Sequence, residues 1–294
     1  MKPKVICFGE ILFDQFGEDK KAGGAPMNVA LHLHKQNVCS ELISAVGDDE
    51  NGKELKRFIQ NHGLDTSFVQ TVPHLPTGIV NVKLDKKNQA TYTIVKPVAW
   101  DSIEYAENLA DLISGADALV FGSLVCREAT SKSTLLKLIG SAKLRIFDMN
   151  LRPPHFTAET LEQLLKQTDI LKINEHELEY LNQEHDLENL LIKEQLGQLA
   201  GKYNLTAICV TLGDKGAMVW DKGDLYNHPG FSVNVVDTVG AGDAFLAAYI
   251  AGYLCGKPIQ ETLTTACAAG ALIASKPGAN PDYDIKEISA IANR

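Results

Sequence analysis

Short apolar segments alternate along the chain with longer segments whose apolar residues recur at helical spacing. The short segments predict buried strands and the longer ones predict amphipathic helices. The predicted strands are residues 5–8, 42–46, 118–121, 144–148, 170–173 and 207–211. The predicted helices are residues 29–36, 52–62, 106–113, 132–139, 158–167 and 187–203. This alternation predicts βαβ units around a mostly parallel sheet that is flanked by helices, an α/β fold.

One segment interrupts this alternation. Residues 77–84 and 90–95 are rich in β-forming residues with alternating polarity and are joined by residues 85–89, which predicts an inserted hairpin. This hairpin would be a lid over a site, a dimer contact, both, or a plain edge hairpin. A second hairpin is predicted at 217–220 and 224–228.

Composition narrows the class of protein. Hydrophobic residues make up 45% of the 294 residues, enough for one large domain or for a domain with a small appendage. No flexible linker is visible in the sequence, and we expect a single domain over residues 1–294. The formal net charge is −9 and no Lys/Arg-rich run is present, which argues against nucleic acid as the main partner.

The distribution of cysteines and apolar residues predicts where the protein works. The six cysteines are scattered without a Cys-x-x-Cys pair, which is typical of a reducing compartment. Glu10 and Asp14 interrupt the apolar N-terminal stretch, so it does not read as a signal peptide. The apolar helical run at 244–255 is too short to cross a bilayer. We expect a cytoplasmic protein without a membrane partner.

The most informative stretch places Gly240 and Gly242 directly before Asp243, and an apolar run follows. A helix that begins here presents unpaired N–H groups and the positive end of its dipole, which favour an anion. Glycines let the backbone approach that anion closely. A carboxylate would repel a resting phosphate, but it has a purpose if it accepts a proton from an attacking hydroxyl. The alternative is an ordinary turn into a buried helix.

Polar residues follow several predicted strands, at the edge where open α/β sheets bind ligands. Asp14, the segment 148–152 and Asn174 occupy such positions. Near the N-terminus, Gly23 and Gly24 precede a helix that we expect to start near Asn28. Asn28 could hydrogen-bond a ligand hydroxyl or serve only as the helix N-cap.

Two further motifs leave alternatives open. Asn174 and Glu177 have the spacing of a capping box and also suit water-coordinated Mg²⁺, and both can hold. Thr211 ends a predicted strand, and Gly213 and Gly216 lie in the turn that follows. These glycines would let a nucleotide lie close to the backbone or would form a plain turn.

Taken together, these segments resemble the ribokinase-like (PfkB-type) carbohydrate kinase family. Residues 23–30 resemble its N-terminal signature and 237–245 its C-terminal signature, while 174–177 and 211–216 match its intermediate motifs in order. The resemblance runs from residue 5 to about 282. It implies a three-layer α/β fold with a small β-sheet lid, which residues 15–21 and 77–96 would form.

The resemblance also implies an activity, the ATP-dependent phosphorylation of a sugar hydroxyl. Asp243 would be the base, and the backbone N–H groups of Gly240, Ala241 and Gly242 would be the anion hole. The sugar would contact Asp14, Gly23, Gly24, Asn28 and Arg152. The ATP site would contain Asn174, Glu177, Thr211, Gly213 and Gly216.

Metal ions follow from the same resemblance. Glu177 would hold Mg²⁺ through water. Asp237, Gly278 and Asp282 would form a K⁺ site, although Asp282 stands where ribokinases commonly have serine.

The choice of sugar rests on finer likeness. Residues 9–14, 22–30, 92–95 and 99–101 look more like those of bacterial fructokinases than of ribokinases, so we expect D-fructose to become fructose 6-phosphate. Met27 departs from the usual pattern, and Trp100 would either shape the pocket or pack in the core.

Other functions stay open on the same scaffold. Ribokinase, 2-keto-3-deoxygluconate kinase and nucleoside kinase share the catalytic residues. A non-catalytic sugar-binding regulator is the alternative from another class, and the intact Asp243 argues against it. The apolar lid hairpin further suggests a homodimer.

Overall fold

The structure, a computed structural model, describes residues 2–84 and 90–294. In chain order the strands are β1 (Lys4–Phe8), β2 (Leu12–Phe16), β3 (Asp19–Gly23), β4 (Cys39–Gly47), β5 (Val69–Val72), β6 (Gly78–Leu84), β7 (Ala90–Ile94), β8 (Ala118–Gly122), β9 (Arg145–Asp148), β10 (Ile170–Asn174), β11 (Ala207–Thr211), β12 (Ala217–Asp221) and β13 (Asp224–His228). The helices are α1 (Ala25–Lys35), α2 (Glu50–Asn61), α3 (Glu107–Ser114), α4 (Ala129–Leu138), α5 (Ala158–Leu165), α6 (Glu175–Glu184), α7 (Ile192–Tyr203), α8 (Ala241–Leu254), α9 (Ile259–Ala274) and α10 (Ile285–Ala292).

The main sheet contains nine described strands in the order β13-β12-β11-β10-β9-β8-β1-β4-β5. Neighbours from β5 to β11 are parallel, while β12 and β13 form an antiparallel hairpin at one end. The α/β class and the mostly parallel sheet predicted from the sequence are confirmed.

Side chains of one strand alternate between two hydrophobic cores, because successive residues of a strand point to opposite faces. In β1, Val5 and Cys7 join the core under α1, α8 and α9, whereas Ile6 and Phe8 join the core under α4, α5 and α7. Helices therefore cover both faces, which makes the fold three-layered. Among the described residues, no helix combines the length and hydrophobicity that crossing a bilayer requires.

The order of the strands locates a crevice. From β1 the chain passes to β4 on one side and later returns to β8 on the other. The helix after β1 packs on one face and the helix after β8 packs on the opposite face. Open α/β sheets bind ligands outside the carboxyl ends of the strands at such a reversal, so the ends of β1 and β8 mark the expected site.

A second, smaller sheet contains the described strands β3, β2, β6 and β7 in that order. β2 is parallel to β6 and antiparallel to β3, and β6 is antiparallel to β7. The sheet begins at Leu12, earlier than the predicted segment 15–21, because the chain turns into β2 directly after Glu10 and Ile11. The predicted hairpin connection, residues 85–89, lies outside the described residues.

Several helix boundaries differ from the sequence-based expectation; for example, α4 begins at Ala129 rather than at residue 132. The predicted helix 187–203 begins only at Ile192. The helix expected to start near Asn28 begins at Ala25, with Gly24 as its N-cap at φ 116° and Pro26 in its first turn. Proline suits the first turn of a helix because it lacks the N–H that would be unpaired there.

Candidate active site

The first turn of α8 carries the candidate base. Gly240 is the N-cap and has φ 80°, a conformation that favours glycine. A Cβ at this position would lie 2.7 Å from the Cα of Ala279, so packing against the C-terminal loop also requires glycine. Asp243 follows in the first turn, partly buried.

The backbone N–H groups of this turn differ in whether they already donate a hydrogen bond. Ala241 N–H donates a long hydrogen bond, 3.3 Å, to the carbonyl of Thr238. Within the described residues, the N–H groups of Gly240 and Gly242 make no hydrogen bond. Free N–H groups at a helix start attract an anion, so Gly240 and Gly242 are the better placed donors.

A chain of side-chain hydrogen bonds joins three distant segments at Asp243. Asn28 Nδ2 donates to Asp243 Oδ2 at 2.7 Å, and Asn280 Nδ2 donates to Asn28 Oδ1 at 2.6 Å. Asn28 is the fourth residue of α1 and is not its N-cap; its N–H donates to the carbonyl of Gly24 at 2.9 Å. Its amide is therefore free to hold the carboxylate of Asp243.

A buried ion pair lies behind this turn. Lys172 Nζ, on β10, lies 2.9 Å from Asp148 Oδ1, at the end of β9, and both side chains are less than a tenth exposed. A Cβ on Gly242 would lie 3.3 Å from Lys172 Nζ. The sequence placed Asp148 in the segment 148–152 at the ligand-binding edge without giving it a role, and it did not indicate Lys172 at all.

The surroundings of Asp243 favour its neutral form. Burial, reinforced by the negative charge of Asp148, raises its pKa from 3.8 to about 6. Lys172, the hydrogen bond from Asn28 and the charge of Arg152 act in the opposite direction. A carboxyl group with this pKa is ionised at neutral pH and is basic enough to accept a proton.

Asp14 and the two glycines form a second group of predicted residues. Asp14 lies on β2 and Gly23 on β3, and a Cβ on Gly23 would lie 2.8 Å from Asp14 Oδ2. Gly24 leaves no room for a Cβ because the carbonyl of Glu10 lies against it. Burial raises the pKa of Asp14 to about 6, against the effect of the Arg152 and Lys21 charges.

Glu10 is a buried acid that the sequence reasoning did not assign to the site. Its side chain is 3% exposed, and its Oε2 has no partner among the described residues. Burial raises its pKa to about 7, the charge of Arg152 lowers it, and that of Asp243 raises it. A charged residue next to a buried strand was the available signal.

Arg152 is the exposed cation of this region. The positive charge of the guanidinium lowers the pKa values of Glu10, Asp14 and Asp243. Its Nη1 donates to its neighbour's carbonyl, that of Leu151, at 3.1 Å. The group is thus available to an anionic or hydroxylated ligand.

Asn174 and Glu177 form the capping box of α6. Asn174 Oδ1 accepts from Glu177 N–H at 3.0 Å, and Glu177 Oε2 accepts from Asn174 N–H at 2.9 Å. The other oxygen, Glu177 Oε1, accepts from Leu151 N–H at 2.7 Å and so ties the Arg152 loop to α6. A water-mediated role for the carboxylate remains compatible with this geometry, because each oxygen has a further lone pair.

The predicted nucleotide residues lie at the end of β11. Thr211 is the last residue of the strand, and Gly213 follows, exposed, at φ 62° with open space around it. Gly216 is required by packing, because the carbonyl of His228 occupies the place of a Cβ. Only Gly213 therefore leaves open space for a ligand at this turn.

The three residues predicted to hold K⁺ do not come together as a set. Asp237 joins two loops: its Oδ1 accepts from Val239 N–H and its Oδ2 from Gly278 N–H, each at 3.1 Å. The side chain of Asp282 is 99% exposed, with Lys35 Nζ 3.7 Å away. The structure thus places Asp237 and Gly278 beside α8 and leaves the Asp282 carboxylate in solvent.

Two residues considered for the pocket wall are fully buried. Met27 packs in the core under α1. Trp100 lies against Gly78, and the guanidinium of Arg127 lies 3.9 Å from its ring. Arg127 also forms a bidentate pair with Asp101 at 2.7 and 2.8 Å, so this cluster holds the base of the second sheet.

Comparison with known proteins identifies the family. The sequence profile of the pfkB family of carbohydrate kinases matches residues 3–286. The chain therefore belongs to the pfkB carbohydrate kinase family, whose members are phosphotransferases that act on an alcohol group of a sugar.

Individual relatives agree with this assignment. An uncharacterized sugar kinase of Pyrococcus horikoshii is 33% identical over 270 residues, 85% of this chain and 82% of its own. Its structure superposes with a TM-score of 0.82 at 28% identity, covering 98% of this chain and 99% of the relative. Fructokinase-2 of Solanum lycopersicum is 28% identical over 307 residues, 94% of this chain and 92% of its own. The fructokinase of Xylella fastidiosa, solved with bound ATP, has a TM-score of 0.87 at 22% identity, covering 100% and 99% of the two chains.

Proposed function

We propose that this kinase is a fructokinase that transfers the γ-phosphoryl group of ATP to the 6-hydroxyl of D-fructose. The 2.7 Å contact between Asn28 and Asp243 carries the proposal, because it joins the sugar-binding signature to the base. Relatives named fructokinases that align along most of the chain support the choice of sugar.

Asp243 is the base in this proposal. With a pKa of about 6, it is ionised at neutral pH and accepts the proton of the attacking hydroxyl. Asn28 holds one carboxylate oxygen, which leaves the other oxygen for the sugar. Positioned bases of this kind contribute about 10²–10⁴-fold to rates.

The turn before α8 stabilises the charge of the transferring phosphoryl group. The free N–H groups of Gly240 and Gly242 and the helix dipole point toward developing negative charge. Ala241 contributes less, because its N–H is shared with Thr238.

Sugar hydroxyls are bound by carboxylates and amides at the edge of the crevice. Asp14 and Asn28 bind the hydroxyls, and the close backbone approach at Gly23 and Gly24 leaves room for the ring. Arg152 neutralises the carboxyl groups that surround the sugar and faces the phosphorylated product.

ATP would lie between the end of β11 and the start of α8, against Thr211 and Gly213, with Asn174 and Gly216 shaping the loops around it. When bound, Mg²⁺ neutralises phosphate charge, and Glu177 would hold it through water. Asp237 and the Gly278 loop would hold K⁺; the exposed carboxylate of Asp282 does not fit that role.

The second sheet acts as a lid in this proposal. Lys21 Nζ, on β3, lies 4.0 Å from Asp237 Oδ2, so the sheet reaches the loop before α8. A cavity of about 580 Å³ lies between β3, α2 and the loop at 277–280. The homodimer expected through this sheet stays a prediction.

A panel of acceptors tests the proposal. Purified enzyme is given ATP and Mg²⁺ with fructose, ribose, 2-keto-3-deoxygluconate or a nucleoside, with and without K⁺, and ADP release is followed by a coupled assay. We expect the highest kcat/KM with fructose. A higher value with another acceptor would assign the enzyme to that sugar, and an absence of ADP release with any acceptor would favour a non-catalytic sugar-binding regulator.

A further inference from the structure

The ion pair between Lys172 and Asp148 lies directly behind the turn proposed to bind the phosphoryl group. Lys172 is 6% exposed in the middle of the main sheet, where charged residues are rare unless paired. Its Nζ lies 2.9 Å from Asp148 Oδ1 and 3.3 Å from where a Cβ of Gly242 would be. The absence of a side chain at Gly242 thus lets the ammonium group approach the turn.

Lys172 stays charged in this position. Burial alone would lower its pKa, but the negative charges of Asp148, Asp243 and Glu177 together raise it. The charge of this ammonium group therefore interacts with three carboxyl groups and not only with that of Asp148, its ion-pair partner.

A purely structural role explains this pair poorly. Buried ion pairs stabilise a fold no better than apolar residues of similar volume in many cases, and Asp148 Oδ2 has no partner within the described residues. By contrast, both carboxylate oxygens of Asp101 accept hydrogen bonds from Arg127 beneath the second sheet, where the atom without a partner among the described residues is Arg127 Nη1. The incomplete pairing of Asp148 points to a use of the Lys172 charge outside the pair.

We propose that Lys172 is a positioning residue for phosphoryl transfer, which holds a fixed positive charge behind Gly242 and stabilises negative charge gathering at the start of α8. Asp148 acts as its counter-ion and holds the ammonium group in place. This inference rests on the proposed function, because it assumes that the phosphoryl group passes this turn and that Asp243 is the base.

The test compares Lys172→Met, Asp148→Asn and the double variant K172M/D148N. Because the groups facing Asp243 include Glu10, Asp148, Arg152 and Lys172, kcat is measured across pH 5–9, with saturating fructose, ATP and Mg²⁺. We expect K172M to lower kcat by about 10- to 100-fold, less than loss of a direct donor. Its acid limb should move to higher pH, whereas that of D148N should move to lower pH.

The double variant separates charge from folding. It removes both charges, so no unpaired carboxylate remains to destabilise the fold, and we expect its kcat to stay at least about fivefold below wild type, a fraction of the loss of a direct donor. Wild-type kcat in the double variant would assign the loss in K172M to an unpaired Asp148 and would overturn the proposal. Acid limbs that do not move in opposite directions would also overturn it.

A matched control uses an ion pair at the opposite, N-terminal ends of the same two strands, β9 and β10. Arg145 and Asp169 bond at 2.8 Å through Nε, and R145M should lower stability without changing kcat or its pH profile. Asp243→Asn distinguishes the two levels of inference. If D243N keeps near-normal turnover, the proposed function fails; if D243N is inactive while K172M matches wild type, only the role of Lys172 fails.

Discussion

Polar side chains at the two ends of the parallel strands of the main sheet differ in burial and in hydrogen bonding. At the amino edge, where the parallel strands begin, Asp169 is partly buried and Asp117 is exposed, and each accepts a hydrogen bond from a backbone N–H. Asp169 Oδ2 accepts from the N–H and the Nε of Arg145 at 2.7 and 2.8 Å, and Asp117 Oδ2 accepts from Lys4 N–H at 2.8 Å. These acids connect the starts of neighbouring strands, and solvent screening makes each hydrogen bond weaker than one to a fully buried charge.

At the carboxyl edge, where the parallel strands end, several buried polar atoms have no hydrogen-bond partner among the described residues. Glu10 Oε2, Ser123 Oγ and Asp148 Oδ2 are buried without partners in the part of the chain that the structure describes. These atoms follow or end the adjacent strands β1, β8 and β9. Polar groups without partners cost stability, so this edge sacrifices stability where ligand binding and proton transfer are proposed.

The largest effect should come from Asp243→Asn. Since Asn cannot accept the hydroxyl proton, we expect kcat to fall by about a thousandfold while the folded structure persists. The coupled ADP assay measures turnover, and circular dichroism checks folding. At the amino edge, Asp169→Asn should do the reverse, lowering stability and leaving kcat unchanged. If D169N lost as much turnover as D243N, the two ends of the strands would not differ in their role in catalysis, and the comparison would fail.

The pH dependence of the wild-type enzyme should report the same carboxyl group. With its pKa raised to about 6, Asp243 is protonated below that pH and cannot act as base. We expect kcat/KM for fructose to fall by about tenfold per pH unit below 6 and to level off above it. An acid limb near pH 4 would mean that burial does not control the base.

Glu10→Gln should raise stability at the carboxyl edge. In the folded protein the pKa of Glu10 is raised to about 7 from its ordinary value of 4.5, so the carboxyl group keeps its proton up to about pH 7. Stability is therefore lost as pH rises from 4.5 to 7, and a Gln side chain has no proton to lose. We expect E10Q to be more stable than wild type at pH 8, by up to about 3 kcal/mol, and equal to it at pH 4.

Urea unfolding at the two pH values measures this difference. Asp169→Asn is the matched variant at the amino edge. It should be destabilised at pH 8, because the N–H groups of Arg145 lose the carboxylate that accepts their hydrogen bonds. If E10Q were also destabilised at pH 8, the Glu10 carboxyl would be a structural partner like Asp169, and the two edges would be alike.

The sequence predicted the elements better than the contacts between them. Hydrophobic periodicity located β11 at its observed bounds, because a buried parallel strand is a continuous apolar run. Periodicity missed β2, a short strand that contains Asp14 and belongs to the second sheet. It also placed the start of α1 too late, because the Gly24 and Pro26 start signal lies before the apolar repeat.

Only part of the candidate site could be predicted from the sequence, for a physical reason. Asn28 and Asp243 are 215 positions apart, and no local pattern encodes their contact; family resemblance supplied it. Lys172 and Glu10 were missed because one charge in an apolar segment gives no spacing to interpret. The useful signal would have been the cost of burying that charge.

The smallest effect should come from Asp282→Ala. Its side chain is 99% exposed, so a 3.7 Å ion pair with Lys35 is screened by solvent, and stability should change by less than about 0.5 kcal/mol. Activation by K⁺ should also be unchanged, since the carboxylate lies away from the loops that Asp237 joins. Asp237→Asn is the matched variant, and we expect it to weaken any K⁺ activation because Asp237 connects the turn before α8 to Gly278. A K⁺ titration of turnover measures both, and loss of activation in D282A alone would place the cation against the exposed end of the C-terminal loop.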